Sequence, residues 1–333
     1  MPDRDNARLE ALRGLHERIR ARVRRTLRDG ADPAALARET RGDTIYALDV
    51  DVEPLLVAFF TEEFAPRFPC TLIAEGVNDD RPLVLGPAAA PGRVRVIVDP
   101  IDGTRGLMYD KRPGWILTGI APDRGDLTGL ADIRVALQTE IPTSKQNRAD
   151  QLWAVRGSGW GASRTDLDTG ATAPLALRPS RADHLEHGFA QIARFFPGGK
   201  DVLAALEEAL FAEVVGPVVA GKARVFEDQY ISNAGQLYEL IAGHDRFTAD
   251  LRPRLDAMLR RRGEAPGITS HAYDLATWII AAEAGVELTD DHGGPLDGPL
   301  DTTSPVGFIA YANRALRRRI EPVLLRLIDE RLG

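Results

Sequence analysis

The sequence is poor in soft metal ligands. Cys70 is the only cysteine in 333 residues, which excludes an intrachain disulfide and a thiolate zinc cluster. The six histidines show no ligand spacing; His184 and His187, three apart, lack a third partner. No apolar run approaches the roughly 18 residues of a membrane span, and the first thirty positions are charged rather than signal-like. The expectation is a soluble, cytoplasmic chain with no membrane partner. Ser158 and Ser163 lack a nucleophile-elbow context, which argues against serine hydrolase chemistry. A net charge of -7 argues against a general nucleic-acid binder, although arginines cluster at both ends. No internal repeat or low-complexity tract is visible. Metal binding here must use oxygen ligands.

With 44% hydrophobic residues the chain can bury a large core, as one big domain or two tightly joined ones. Leu9, Leu12, Leu15, Ile19, Val23 and Leu27 recur every three or four residues, which predicts an amphipathic helix from Asp5 to about Asp29, stopped by Gly30. Its arginines, Arg18, Arg20, Arg22, Arg24, Arg25 and Arg28, read as a solvated face that favours the helix C-terminus. A second helix is expected to run through Phe60. Runs from Trp115 to Ala121, Ala131 to Thr139 and Leu152 to Arg156 imply an antiparallel sheet with Gly-rich and Pro-rich turns. The stretch from Asp166 to Pro179 is the best boundary, giving an N-terminal α+β domain (1–170) and a C-terminal α/β domain (171–333). In the second half, helices are expected over Lys200–Val214, Asn233–Ala242, Tyr273–Ala284 and Asn313–Arg331, with a strand over Val306–Ala310.

The chain is organised around Arg93 to Thr104. Val94, Val96, Ile97 and Val98 form the β-branched run of a buried strand, and Pro100 is expected to end it on Asp99. Asp99, Asp102, Gly103 and Thr104 then crowd a strand's C-terminal edge, where ligands of open α/β sheets collect. Two carboxylates that close repel unless a cation lies between them.

Asp99-Pro-Ile-Asp-Gly-Thr104 resembles the first signature of the inositol monophosphatase family, magnesium-dependent, lithium-sensitive phosphatases whose superfamily includes fructose-1,6-bisphosphatases and 3'-phosphoadenosine phosphatases. The block from Tyr273 to Asp290, followed by Gly294-Pro-Leu-Asp297, is similar to that family's second signature, in the right order and at about the right distance. The resemblance implies a five-layer αβαβα sandwich from about Asp43 to Ala310 and a homodimer. It also implies Mg2+, two to three ions per site, held by Glu75, Asp99, the Ile101 carbonyl, Asp102 and Asp274, with Asp99 bridging. Thr104 would orient the attacking water and relay to Asp49, with Glu75 also catalytic, while Gly103 and Thr104 would direct N–H groups at the phosphate. The chain departs from the family at Tyr46, where a threonine is usual, at Gly76, where a second glutamate is usual, and at Tyr273, where tryptophan is usual.

The implied activity is hydrolysis of a phosphate monoester of a small metabolite by metal-activated water. Ser232-Asn-Ala-Gly235 stands where the family commonly meets the sugar, and an expansion from Leu251 to Pro266 carries Arg252, Arg254, Arg260, Arg261 and Arg262. Arg105, Lys111 or Arg112, and the later arginines, are candidates for a second anionic group on the substrate. That keeps 3'-phosphoadenosine 5'-phosphate, fructose-1,6-bisphosphate and histidinol phosphate open beside inositol monophosphate. An inactive metal-binding scaffold is the alternative of another class.

Overall fold

A computed structural model of the chain describes residues 2–29, 35–39, 44–87 and 90–333. The predicted first helix is α1, Pro2–Arg28, followed by a small hairpin of β1, Leu36–Glu39, and β2, Thr44–Tyr46, and by α2, Ala47–Val50, and α3, Glu53–Phe59. An eight-stranded sheet is built from β3, Cys70–Ala74, β4, Leu83–Leu85, β5, Val94–Asp102, β6, Gly114–Pro122, β7, Val135–Ile141, β8, Arg148–Val155, β9, Gly159–Asp166, and β10, Thr172–Pro174; the short α4, Thr104–Met108, follows β5. Its order is β10-β9-β8-β7-β6-β5-β3-β4, antiparallel except for the β3–β5 pair. The second half adds β11, Phe189–Ile192, α5, Lys200–Val214, α6, Asn233–Ala242, β12, Asp245–Asp250, α7, Arg252–Arg261, α8, Trp278–Ala284, β13, Glu287–Asp290, β14, Phe308–Tyr311, and α9, Arg314–Leu332. The four strands among them form a second sheet in the order β11-β12-β14-β13.

The layers follow from which faces are apolar. Helix α1 lies across β6, β7 and β8 and buries Leu12, Leu15, Ile19 and Val23 against the first sheet. Helices α6 and α8 touch both sheets, while α5 and α9 cover the far side of the second. This is the αβαβα sandwich that the resemblance implies. Ala234, Leu237 and Ile280 in the middle layer join residues of both sheets into one continuous core.

Two local expectations are overturned, and each matters to the site. Strand β5 does not end on Asp99; it continues through Pro100 to Asp102. The ladder with β6 pairs Asp99 with Leu117 but Asp102 with Trp115, three steps against two. Pro100 sits inside this bulge, where its missing N–H breaks no regular ladder position. The extra residue also matters for direction, because side chains three apart on a regular strand point to opposite faces. With the bulge, Asp99 and Asp102 face the same side. The second correction concerns the expected Tyr273–Ala284 helix, which is a 3-10 turn over Tyr273–Leu275 and then α8, with Thr277 between them donating its hydroxyl to Gln138 Oε1 at 3.0 Å.

That break is held by a close approach. A Cβ at Gly119 of β6 would come within 2.4 Å of the Ala276 carbonyl oxygen and 2.9 Å of Ile133 Cδ1. The Gly119→Ala substitution is expected to cost about 1–3 kcal/mol through overpacking and to push the Asp274 turn off the sheet. Urea unfolding checks this; an unchanged midpoint would show that the turn can retreat freely.

Candidate active site

The bulge of β5, the start of α4, the N-terminus of α6 and the 3-10 turn before α8 meet around one cleft. Its walls include Glu75, Asp99, Ile101, Asp102, Gly103, Thr104, Arg105 and Asp274. Asp99, Asp102 and Asp274 each offer an oxygen within 4.8 Å of the others. Glu75 lies outside that group but on the same wall, where Tyr273 donates its hydroxyl to Glu75 Oε1 at 3.3 Å.

Each carboxylate is aimed by backbone and side-chain donors. The Ile101 N–H donates to Asp99 Oδ1 at 3.0 Å, across the bulge. Asp102 Oδ2 accepts from Ser232 Oγ at 2.7 Å and from the Ala234 N–H at 2.8 Å, which ties the first sheet to the start of α6. Ser232 is the N-cap of that helix, its Oγ also accepting from the Gly235 N–H. Asp274 Oδ2 accepts from the His271 N–H at 2.7 Å. His271 itself is buried and stacked on Tyr273 rather than being a cleft residue. Thr104 donates its hydroxyl to the Ile101 carbonyl at 2.7 Å. Gly103, the N-cap of α4, has φ 85°, the left-handed region that glycine enters at no steric cost.

Burial, then Glu75, Asp102 and Asp274, raise the Asp99 carboxyl well above the ordinary range. Burial and the neighbouring Asp102 do the same to Asp274. Burial pushes Asp102 up to about 6, opposed by its hydrogen bonds from Ser232 and Ala234 and by the charge of Arg252. Carboxylates raised by mutual repulsion in a shared site want protons or cations. An all-oxygen donor set at one cleft, hard and anionic, fits a hard divalent ion such as Mg2+ far better than a soft one.

The other expected residues divide. Asp49 stands on α2, and its side chain lies outside the described residues, as does Asp43. Tyr46 and Arg105 both line the cleft, the guanidinium 5.6 Å from the Tyr46 ring and 5.0 Å from that of Phe196. Lys111 and Arg112 do not line it; they face another cleft, and Arg112 pairs with Asp228 and stacks on Tyr230. Of the later arginines, Arg252 lines the catalytic cleft, buried, with its Nε 2.9 Å from Asp250 Oδ1 and its guanidinium over Phe195 and Phe196. Arg254 pairs with Asp329 on the far surface. Asp297, at the end of the second signature, is a structural brace whose Oδ1 accepts from the Ala131 N–H.

Sequence reading missed Phe195, Phe196 and Thr269, which also line the cleft. The run Phe195-Phe196-Pro-Gly-Gly199 just after β11 was the available signal, an apolar pair opening a turn.

No family model matches the sequence, and no curated protein matches it. Solved structures do match. The fructose-1,6-bisphosphatase of Leishmania major in holo form aligns with a TM-score of 0.67 at 13% identity over 99% of this chain and 96% of that one. The extragenic suppressor protein SuhB of Bartonella henselae aligns with a TM-score of 0.64 at 18% identity, over 96% and 98%. An inositol monophosphatase of Thermotoga maritima aligns at 0.60 and 16% identity, over 98% and 100%. The chain has the fold these phosphatases share.

Proposed function

We propose, from that shared fold and from the carboxylates gathered at its cleft, that this chain is a metal-dependent phosphoric monoester hydrolase acting on a small phosphorylated metabolite. The observation that carries the reading is the convergence of Asp99 and Asp102 of β5 with Asp274 of the distant 3-10 turn, their oxygens within 4.8 Å of one another. Glu75, Asp99, Asp102 and Asp274, with the Ile101 carbonyl, would hold two to three Mg2+ ions. Bound divalent cations lower the pKa of a ligated water and neutralise charge that builds on the phosphoryl and leaving oxygens.

The chain's own groups do the positioning. Thr104, which donates to the Ile101 carbonyl at 2.7 Å, would orient the attacking water, and Asp49 would take the proton that Thr104 relays. Glu75 acts as the carboxylate nearest the hydroxyl of Tyr273. The Gly103 and Thr104 N–H groups take phosphate oxygens. Arg105 and Arg252, with Phe195, Phe196 and Tyr46, face the leaving group, a wall suited to an anionic or planar substituent. Among solved relatives of the fold, one SaIMPase-II structure holds 2'AMP, which keeps nucleotides and bisphosphates open beside inositol monophosphate. A cytoplasmic homodimer inhibited by lithium completes the proposal.

The test is release of inorganic phosphate from a panel of monophosphates and bisphosphates, with magnesium and then with excess EDTA. Release is expected only with the metal, and Asp102→Asn is expected to reduce it on the order of a thousandfold. Magnesium-independent release, or an active Asp102→Asn enzyme, would sink the assignment, and no release across the panel would favour a metal-binding scaffold.

A further inference from the structure

A second groove shares no lining residue with the catalytic cleft. It has a volume of about 680 Å³ and runs between α1 and the β8–β9–β10 edge of the first sheet, walled by Arg13, Arg20, Arg24, Trp153, Thr165 and Thr172. The three arginines stand seven and four residues apart, so they share one face of α1. The expected solvated arginine face is therefore only partly right. Arg18 is paired outward with Glu63 at 2.6 Å and Arg22 with Asp51, whereas Arg20 is 5% exposed.

Three guanidinium groups and two carboxylates line the groove, with Glu10 paired to Arg13 and the charge of Asp168 acting on Arg24. Glu17 holds one nitrogen of Arg20, but Arg20 Nη1 is buried with no hydrogen-bond partner. Arg24 forms no ion pair among the described residues, and burial followed by the charges of Arg28 and Arg20 lowers its pKa. The one other carboxylate on the wall, Asp166, is spent on its own turn, its Oδ1 accepting from the Asp168 N–H and from the N–H and hydroxyl of Thr169. An orphaned buried donor is a debt that a polyanion would settle.

Two of the guanidinium groups are held in place beforehand. Arg13 lies 4.1 Å from the Trp153 ring centroid, donates to Glu10 at 3.0 Å and reaches Gln151. Arg20 is fixed by burial and by Glu17. Across from them the Thr165 and Thr172 hydroxyls are hydrogen-bonded to each other at 2.9 Å, which leaves one O–H to donate to a phosphate oxygen. Trp153 is covered by the Arg13 guanidinium, and a Cβ at Gly161 would sit 2.6 Å from its Cζ2.

We propose that this groove is a second anion site, separate from the catalytic cleft, that takes a small molecule carrying two linked or neighbouring phosphates. Arg20 and Arg24 stand one helical turn apart, with about 5–6 Å between their Cβ atoms, a spacing from which both guanidinium groups can address neighbouring phosphates of one molecule.

Isothermal titration of the full chain with inorganic pyrophosphate in excess EDTA tests this, because the metal-free catalytic cleft is anionic and repels the probe. Saturable one-to-one binding is expected, weakened about tenfold by Arg24→Ala and retained in Asp102→Asn. Arg24 forms no hydrogen bond or ion pair among the described residues, so its variant is expected to fold; circular dichroism verifies that. Absence of saturable heat at millimolar pyrophosphate, or binding indifferent to Arg24→Ala, would overturn the site. Binding lost in Asp102→Asn but kept in Arg24→Ala would place the probe in the catalytic cleft and overturn it equally. None of these outcomes depends on whether the chain releases phosphate.

Discussion

Asp99→Asn is expected to abolish magnesium-dependent phosphate release, by on the order of a thousandfold or more, while making the metal-free protein more stable. The two effects have one origin. Asp99 is buried beside Glu75, Asp102 and Asp274, and its charge is opposed by all three. Removing that charge relieves repulsion in a site of low dielectric, a gain of about 1–2 kcal/mol without metal. The same change deletes the carboxylate that the proposed ions would share. In the unaltered protein, magnesium at a hundred times its dissociation constant is expected to add about 2.7 kcal/mol of stability. The variant should show much less. Chemical denaturation with EDTA and with magnesium checks both halves. A variant that loses stability without metal and still responds fully to magnesium would mean that Asp99 is an ordinary buried carboxylate.

Acid should weaken the fold through a residue far from chemistry. His16 of α1 is fully buried between two threonines, its Nδ1 2.9 Å from Thr139 Oγ1 and its Nε2 2.9 Å from Thr118 Oγ1. A neutral imidazole is satisfied there. Burial, with Arg13 and Arg20 adding repulsion, lowers its pKa to about 3. The unfolded chain titrates its histidine near 6.5, so between about 6.5 and 3 the unfolded state binds the extra proton. Stability is then fully present above the unfolded value and falls with acid by about 1.4 kcal/mol per pH unit. Other groups in the protein have opposite signs, since Asp99 and Asp274 are raised and favour the folded state as they take up protons. The clean measurement is therefore the difference between the parent and His16→Gln, by urea unfolding with saturating magnesium at pH 7 and pH 5. The parent should lose roughly 2 kcal/mol more than the variant over that interval. Equal losses would show that protonated His16 finds a partner.

The two signatures were legible because their information is local. Asp99, Asp102, Gly103 and Thr104 lie within six residues, and Asp274 opens an apolar block that must be buried. Helices α5 and α6 were legible for the same reason: their apolar residues recur locally at helical spacing, and both expected ranges match to the residue. Failures fell where two elements meet. Pro100 reads as a strand breaker, and only its partner strand shows the bulge that accommodates it. Helix α8 reads as continuous with Tyr273, and only the packed structure shows the break, at which Ala276 lies against Gly119. Arg20 and Arg22 are indistinguishable on paper, yet one is buried under the sheet edge and the other reaches Asp51.

Composition and local spacing determined the kind of chemistry open to this chain: oxygen ligands, a glycine turn, and helices whose apolar stripes oblige them to pack. Tertiary structure alone decided which of forty-nine acidic residues converge and which arginines lose their counter-charge. The physical reason is that a charge feels neighbours within a few ångströms, and those distances are set by register, bulges and helix packing between segments far apart in the chain.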